Sequence, residues 1–181
     1  MTICIIPARL GSKSIKNKNI KFLKGKHLIG HVIKIAKSSG LFKRIIVSTE
    51  SEKISKIAKF YGAEVPFIRK KKLADDYTPT FKVLIDCVKT LKSEKTPYHF
   101  CIYPTAIFID KYDLRKAFKK IVKLKSNFIC PIQKYNSPPL RSFNIKGKYI
   151  NFRWPKYEAY RKQDLKELYH DTGTFCIYKT K

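Results

Sequence analysis

Acidic side chains are scarce in this chain. Its 181 residues carry 13 Asp and Glu against 40 Lys and Arg, a formal net charge of +27. Long apolar runs are missing too. Nowhere do the roughly 18 consecutive apolar residues of a bilayer-crossing helix occur, and the N-terminus lacks the charged, apolar, small-residue succession of a signal peptide. A cytoplasmic protein with no membrane partner is expected. The cysteines (Cys4, Cys87, Cys101, Cys130, Cys176) show neither metal-ligand spacing nor a disulfide framework and read as buried thiols. Arginine is confined to Arg9, Arg44, Arg69, Arg115, Arg141, Arg153 and Arg161, and the basic residues are spread along the chain instead of forming one block. No helix-turn-helix, RNP or zinc pattern accompanies them, so nucleic acid is not the expected partner. The charge can still draw in small anionic substrates. Two nucleotide motifs are absent. G-x-x-x-x-G-K-[ST] requires Gly directly before Lys, whereas Ser12 precedes Lys13. The G-x-G-x-x-G fingerprint is missing as well.

What is present begins at residues 3–19, I-C-I-I-P-A-R-L-G-S-K-S-I-K-N-K-N. A short apolar run breaks at Pro7, and a basic loop follows through Arg9, Gly11, Ser12, Lys13, Lys16, Lys18 and Asn19. A buried strand followed at once by a glycine-containing cationic loop suits a polyphosphate. Gly11 allows close backbone approach. Arg9 offers a planar fork, and Lys13 and Lys18 offer mobile point charges. The same pattern also fits a strand ending in a solvated lysine-rich turn.

Further along, apolar spacing predicts a helix over 27–39 stopped by Gly40 and a strand over 44–48. A helix capped by Thr49 or Ser51 is expected to run through Tyr61 to Gly62. A third strand is expected over 63–68. After a polar loop (69–79), in which Asp75 or Asp76 is a candidate helix cap, come a helix over 80–92, a strand over 98–103, a helix over 110–123 and a strand over 127–132. This alternation predicts an α/β fold, a doubly wound, mostly parallel sheet with helices on both faces. In such sheets ligands sit beyond the carboxyl ends of the strands, where the loops 7–19, 69–79 and 103–108 should converge. Then 142–145 and 149–153 flank K-G-K as a hairpin, 164–168 suits a short helix, and 172–178 one more strand. Residues 1–181 read as a single domain with 140–170 as an excursion.

Several segments together resemble the acylneuraminate cytidylyltransferases. They are I-I-P-A-R-L-G-S-K at 5–13 with Lys18 and Asn19, I-I-V-S-T-E at 45–50, Y-G-A-E-V-P-F-I-R at 61–69 and L-A-D-D-Y-T at 73–78. I-Y-P-T-A at 102–106, P-I-Q at 131–133 and R-K-Q-D-L-K-E-L-Y-H-D-T-G-T-F at 161–175 follow in the same order, and the last pieces look most like the pseudaminic acid branch. The resemblance implies a nucleotide-diphospho-sugar transferase (glycosyltransferase-A-like) fold. It also implies a nucleotidyltransferase that activates a nonulosonic acid, an acidic nine-carbon sugar, with CTP to give a CMP-sugar and pyrophosphate. By position it assigns Arg9, Gly11, Ser12, Lys13, Lys18 and Asn19 to the triphosphate, with Arg9 and Lys18 as catalytic cations. Arg69, Thr80, Tyr103 and Thr105 fall beside the nucleotide, and Gln133, Arg141, Arg161, Gln163, Asp164, His170 and Asp171 beside the sugar. A homodimer joined through the hairpin is implied, as is Mg²⁺.

Two departures from the family pattern stand out. Ile107 occupies a position where members usually have Pro, which is expected to loosen the 103–108 loop. The sequence also ends before the part of the fold that carries an Asp pair binding Mg²⁺ in relatives, so no metal ligands are assigned. The alternative implied is a nucleotide- or sugar-binding remnant with impaired turnover.

Overall fold

A computed structural model describes residues 2–12 and 14–180. Lys13, assigned above to the triphosphate, lies outside the described residues. The strands are β1 (Thr2–Pro7), β2 (Phe22–Leu23), β3 (Lys26–His27), β4 (Phe42–Ser48), β5 (Tyr98–Ile102), β6 (Phe128–Ile129), β7 (Ile132–Lys134), β8 (Phe143–Lys146), β9 (Tyr149–Phe152), β10 (Tyr169–Asp171) and β11 (Phe175–Lys179). The helices are α1 (Leu28–Ser39), α2 (Glu52–Phe60), α3 (Thr80–Thr90) and α4 (Lys111–Lys123). The chain divides into two compact units, Met1–Cys130 with Gly173–Lys181, and Pro131–Thr172.

The first unit is built on a five-stranded sheet of order β4-β1-β5-β11-β6. β1 pairs in parallel with β4 and with β5, whereas β11 runs antiparallel to both β5 and β6. The expected α/β sheet is therefore present and mostly parallel, with one reversed strand. β1 is buried on both faces because its side chains alternate between two apolar layers. Cys4 and Ile6 join the larger core with α1, α2 and α4, while Ile3 and Ile5 pack with Val83, Leu84 and Cys87 of α3.

Local chemistry accounts for the helix ends. The Ser51 hydroxyl accepts from the Ile54 N–H at 3.3 Å, which settles the choice of cap for α2. Asp110 and Asp113 form a reciprocal capping box that starts α4. Gly40 and Gly62 take up left-handed φ of 67° and 82° after α1 and α2, a conformation that would strain a side chain.

Four expected elements differ. Residues 63–68 form an isolated bridge, Glu64 to Ile46 of β4, and no strand. Pro66 has no N–H to continue the ladder. The strand over 127–132 is two short strands, β6 and β7, divided at Cys130–Pro131 for the same reason. Residues 162–164 form a 3-10 turn in place of the helix over 164–168, because Leu165 is already extended. Asp75 caps a turn, accepting from Tyr77 N at 2.8 Å and Thr78 N at 2.6 Å, and α3 begins at Thr80, where Pro79 in the N-cap position makes no side-chain cap. The hairpin is β8–β9, turning at Gly147 with φ 60°.

His99 is fully buried in β5, with Nε2 3.0 Å from Ser93 Oγ, Nδ1 2.7 Å from Thr180 Oγ1, and its ring stacked on Tyr178. Burial lowers its pKa from 6.5 to about 4, and the negative charge of Glu94 offsets this only in part. Between those values the unfolded chain takes up a proton that the folded chain refuses. The contribution of His99 is thus intact above pH 6.5, falls as pH drops toward 4, and is lost by about 3 kcal/mol below that. In urea titrations from pH 7 to pH 4, His99→Gln is expected to flatten the decline relative to wild type. An unchanged slope would remove His99 as its source.

Candidate functional site

Because β4, β1 and β5 run in parallel, their carboxyl ends open onto one edge of the sheet. A cleft of about 280 Å³ lies there, at the position where such sheets bind ligands. The loop after β1 supplies Arg9, Ser12, Lys18 and Asn19 to its wall. The segment after α2 supplies Arg69, α3 begins with Thr80, and the exit of β5 brings Tyr103 and Thr105. Eight of the positions assigned to the nucleotide from the sequence thus come together. Gly11 does not line the cleft. Its φ lies outside the left-handed region and an added Cβ would meet nothing within 4 Å, so the fold itself does not require glycine there.

The first loop is tied to its surroundings at successive residues. Ala8 N donates to Ser48 O at 2.9 Å, extending the β1–β4 ladder by one bond. The Arg9 carbonyl accepts from Asn19 Nδ2 at 2.8 Å, so the Asn19 side chain is used in shaping the loop. Leu10 N donates to Glu50 Oε1 at 2.7 Å. Residues 8–10 are in this way held before any ligand arrives, which lowers the ordering cost of binding.

Arg69 is only 4% exposed, and its guanidinium NH2 donates to Glu50 Oε2 at 2.9 Å. Its Nε is buried with no hydrogen-bond partner among the described residues. A buried guanidinium with a donor to spare suits an anionic or carbonyl acceptor in the cleft. At the rim, Arg9 NH1 lies 2.5 Å from Asp76 Oδ1 with both side chains about one-third exposed. Tyr103 Oη stands 3.5 Å from Thr80 Oγ1, at the limit of a hydrogen bond. Ile107 is itself anchored within the 103–108 loop. Its N–H, which Pro would lack, donates to Thr105 O at 2.9 Å, and its side chain packs on the core.

Reasoning from sequence left out Glu50 as a site residue and treated Asp76 only as a cap. The available signal for Glu50 was an acid two residues beyond a buried strand in a chain poor in acids. Among the described residues no three His, Cys, Asp or Glu side chains gather to hold a metal ion. Asp76 lies on Arg9, and hydrogen bonds from the Thr78 backbone, the Thr78 hydroxyl and the Tyr77 backbone hold the Asp75 carboxyl below its ordinary range. These carboxylates do not fit a resident Mg²⁺, and no step is assigned to one.

The second unit carries all the positions assigned to the sugar. Gln133 and His170 stand directly opposite one another on β7 and β10, with Asp171 beside them opposite Ile132. The His170 ring lies 4.7 Å from that of Tyr135, and its Nδ1 is 2.7 Å from Asp171 O. Arg161 is turned onto Asp164 by two contacts, at 2.7 and 3.1 Å. Arg141 donates to Tyr160 O at 2.5 Å and lies over the Phe152 ring. Gln163 borders a separate hollow of about 360 Å³ with Lys134 and Tyr135.

A cationic cleft at the carboxyl edge of such a sheet belongs with nucleotide chemistry, and the family model for cytidylyltransferases matches residues 3–179. The chain belongs to the cytidylyltransferase family. Among its relatives, the pseudaminic acid cytidylyltransferase of Campylobacter jejuni (strain NCTC 11168) is 37% identical over 183 residues, covering 99% of this chain and 78% of that protein. The CMP-N,N'-diacetyllegionaminic acid synthase of Legionella pneumophila is 30% identical, covering 98% and 73%. Among solved structures, that of CMP:2-keto-3-deoxy-manno-octonic acid synthetase complexed with CTP superposes with a TM-score of 0.74 at 14% identity, covering 99% of this chain and 74% of that one. That likeness establishes the shared fold.

The Arg9–Asp76 pair places a carboxylate where an incoming phosphate would seek the guanidinium. Partly exposed pairs are worth no more than about 1 kcal/mol. Asp76→Asn is therefore expected to strengthen binding of inorganic tripolyphosphate roughly fivefold at low salt, with the gain fading near 0.5 M NaCl as screening grows. Titration calorimetry at two ionic strengths checks this, and unchanged affinity at low salt would exclude competition by Asp76.

Proposed function

We propose that the protein activates a nonulosonic acid of the pseudaminic type with CTP, giving the CMP-sugar and pyrophosphate. The observation that carries this reading is the convergence of Arg9, Lys18 and the buried Arg69 on one preformed cleft at the strand ends. The names of the relatives in Campylobacter jejuni and Legionella pneumophila support the substrate class. In this reaction the anomeric hydroxyl oxygen bonds to the α-phosphorus, the bond to the β-phosphate bridging oxygen breaks, and the hydroxyl proton passes to solvent. Such chemistry depends mainly on positioning and on neutralising charge that builds on the phosphates.

In this reading Arg9 and Lys18 are the catalytic cations, with Ser12, Lys13 and Asn19 around the triphosphate. Arg69 and Thr80 lie near the nucleotide, and Tyr103 with Thr105 beside the cytosine and sugar. Gln133, Arg141, Arg161, Gln163, Asp164, His170 and Asp171 meet the sugar. The fork of Arg141 or Arg161 suits the sugar carboxylate, and for Arg161 this requires exchanging Asp164 for the ligand. Mg²⁺ would accompany the nucleotide. Residues 1–181 act as one functional domain in the cytoplasm, and the 140–170 excursion makes a homodimer. The exposed Ile145, Tyr149 and Ile150 on the hairpin support that last assignment.

Pyrophosphate release measured with CTP, Mg²⁺ and either pseudaminic, legionaminic or N-acetylneuraminic acid tests the reading. Turnover is expected to be fastest with pseudaminic acid. Arg9→Ala and Lys18→Ala should each lower kcat roughly 100-fold. Absence of turnover with all three acids would overturn the assignment.

A further inference from the structure

The Glu50 side chain touches both the cationic loop and the buried cation of the cleft. One carboxylate oxygen accepts the Leu10 N–H at 2.7 Å, and the other accepts from Arg69 at 2.9 Å. The Glu50 side chain is 17% exposed and that of Arg69 3%, so solvent screens the pair weakly. Its backbone position is fixed from both sides. Ser48 closes the β1–β4 ladder, and Ser51 caps α2. Thr49, between them, accepts the backbone N–H of Arg69 at 2.9 Å. Arg69 keeps an unpartnered, buried Nε in this arrangement.

We infer that Glu50 is a positioning residue: it clamps the first loop and aims the Arg69 guanidinium, so that the cleft's affinity for a phosphate chain depends on an acid that does not itself touch the ligand. The inference rests on reading the cleft as a triphosphate site. An acid near an anion site would ordinarily weaken binding by repulsion. Here one acid holds a cation and a backbone loop in the geometry that binding requires, and that ordering outweighs the repulsion.

The two contacts are separable by substitution. Glu50→Gln keeps a carbonyl oxygen for Leu10 N–H but removes the charge that orients Arg69, and Glu50→Ala removes both. Inorganic tripolyphosphate, titrated calorimetrically against the full chain, serves as probe. Glu50→Gln is expected to weaken binding about tenfold. Arg69→Gln should weaken it by a similar factor. The double variant should bind no more weakly than Arg69→Gln alone, since Glu50 acts through Arg69. Hydrogen exchange at the Leu10 amide should remain slow in Glu50→Gln and become fast in Glu50→Ala.

Wild-type affinity in Glu50→Gln, or losses that multiply in the double variant, would overturn the inference, as would failure of the wild type to bind tripolyphosphate. A purely structural glutamate would lower the melting temperature without producing this non-additivity. If Glu50→Gln does not fold because Arg69 is left buried and uncompensated, the double variant, which lacks both charges, is compared with Arg69→Gln instead. Equal affinity supports the inference and weaker binding by the double variant overturns it. Pyrophosphate release from CTP by the wild type is read separately. The expected tripolyphosphate pattern without turnover would overturn the proposed reaction and leave the role of Glu50 standing.

Discussion

The arrangement depends on one constraint: β1 lies between two parallel neighbours and is buried on both faces, so each of its backbone groups must find a partner in the sheet. Pairing with β4 and β5 meets that demand, and the last bond of the ladder is Ala8 N to Ser48 O. The loop that follows can therefore begin only at the carboxyl edge. The exits of β4 and β5 share that edge because the strands are parallel. Glu50 and Tyr103 come into the neighbourhood of Arg9 through the direction of the strands rather than their separation in sequence.

In a chain with 13 acids against 40 strong bases, the acids near the cleft have a distinctive use. Glu50 holds Arg69 and the Leu10 amide, Asp76 meets Arg9, and Asp75 folds a turn on Tyr77 and Thr78. None is arranged as a cation ligand. The carboxylates organise positive groups, so that the guanidinium directions in the cleft are already chosen. The excess of lysine elsewhere adds long-range attraction for anions without specifying a site.

Much of this was legible from residue pattern. The unbroken apolar run of β1, helical spacing in α1 to α4, and Gly40 and Gly62 as terminators are local signals that tertiary context did not override. The failures have local causes of another kind. Pro66 and Pro131 sit inside apolar runs that read as continuous strands, and each removes an N–H that a ladder would need. Within the cleft, the loop cations were visible because like charges cluster in sequence. The Glu50 contacts were not, because they span 40 residues to Leu10 and 19 to Arg69. A partnership of that kind is decided by which strands are neighbours, and sequence spacing does not state it.

The two arginine–carboxylate pairs of the cleft differ in a way that divides its labour. Arg69 and Glu50 are buried, and separating them would leave an uncompensated charge out of water, which is costly enough to keep them together through any binding event. Arg9 and Asp76 are each about one-third exposed, so their attraction is small and a phosphate can replace the carboxylate at little cost. The floor of the cleft is thus permanent and its rim exchangeable. A polyanion entering such a site finds one cation already aimed and another that changes partner on arrival. For the proposed reaction, this combination would keep the ordering cost low and leave Arg9 free to follow the phosphates.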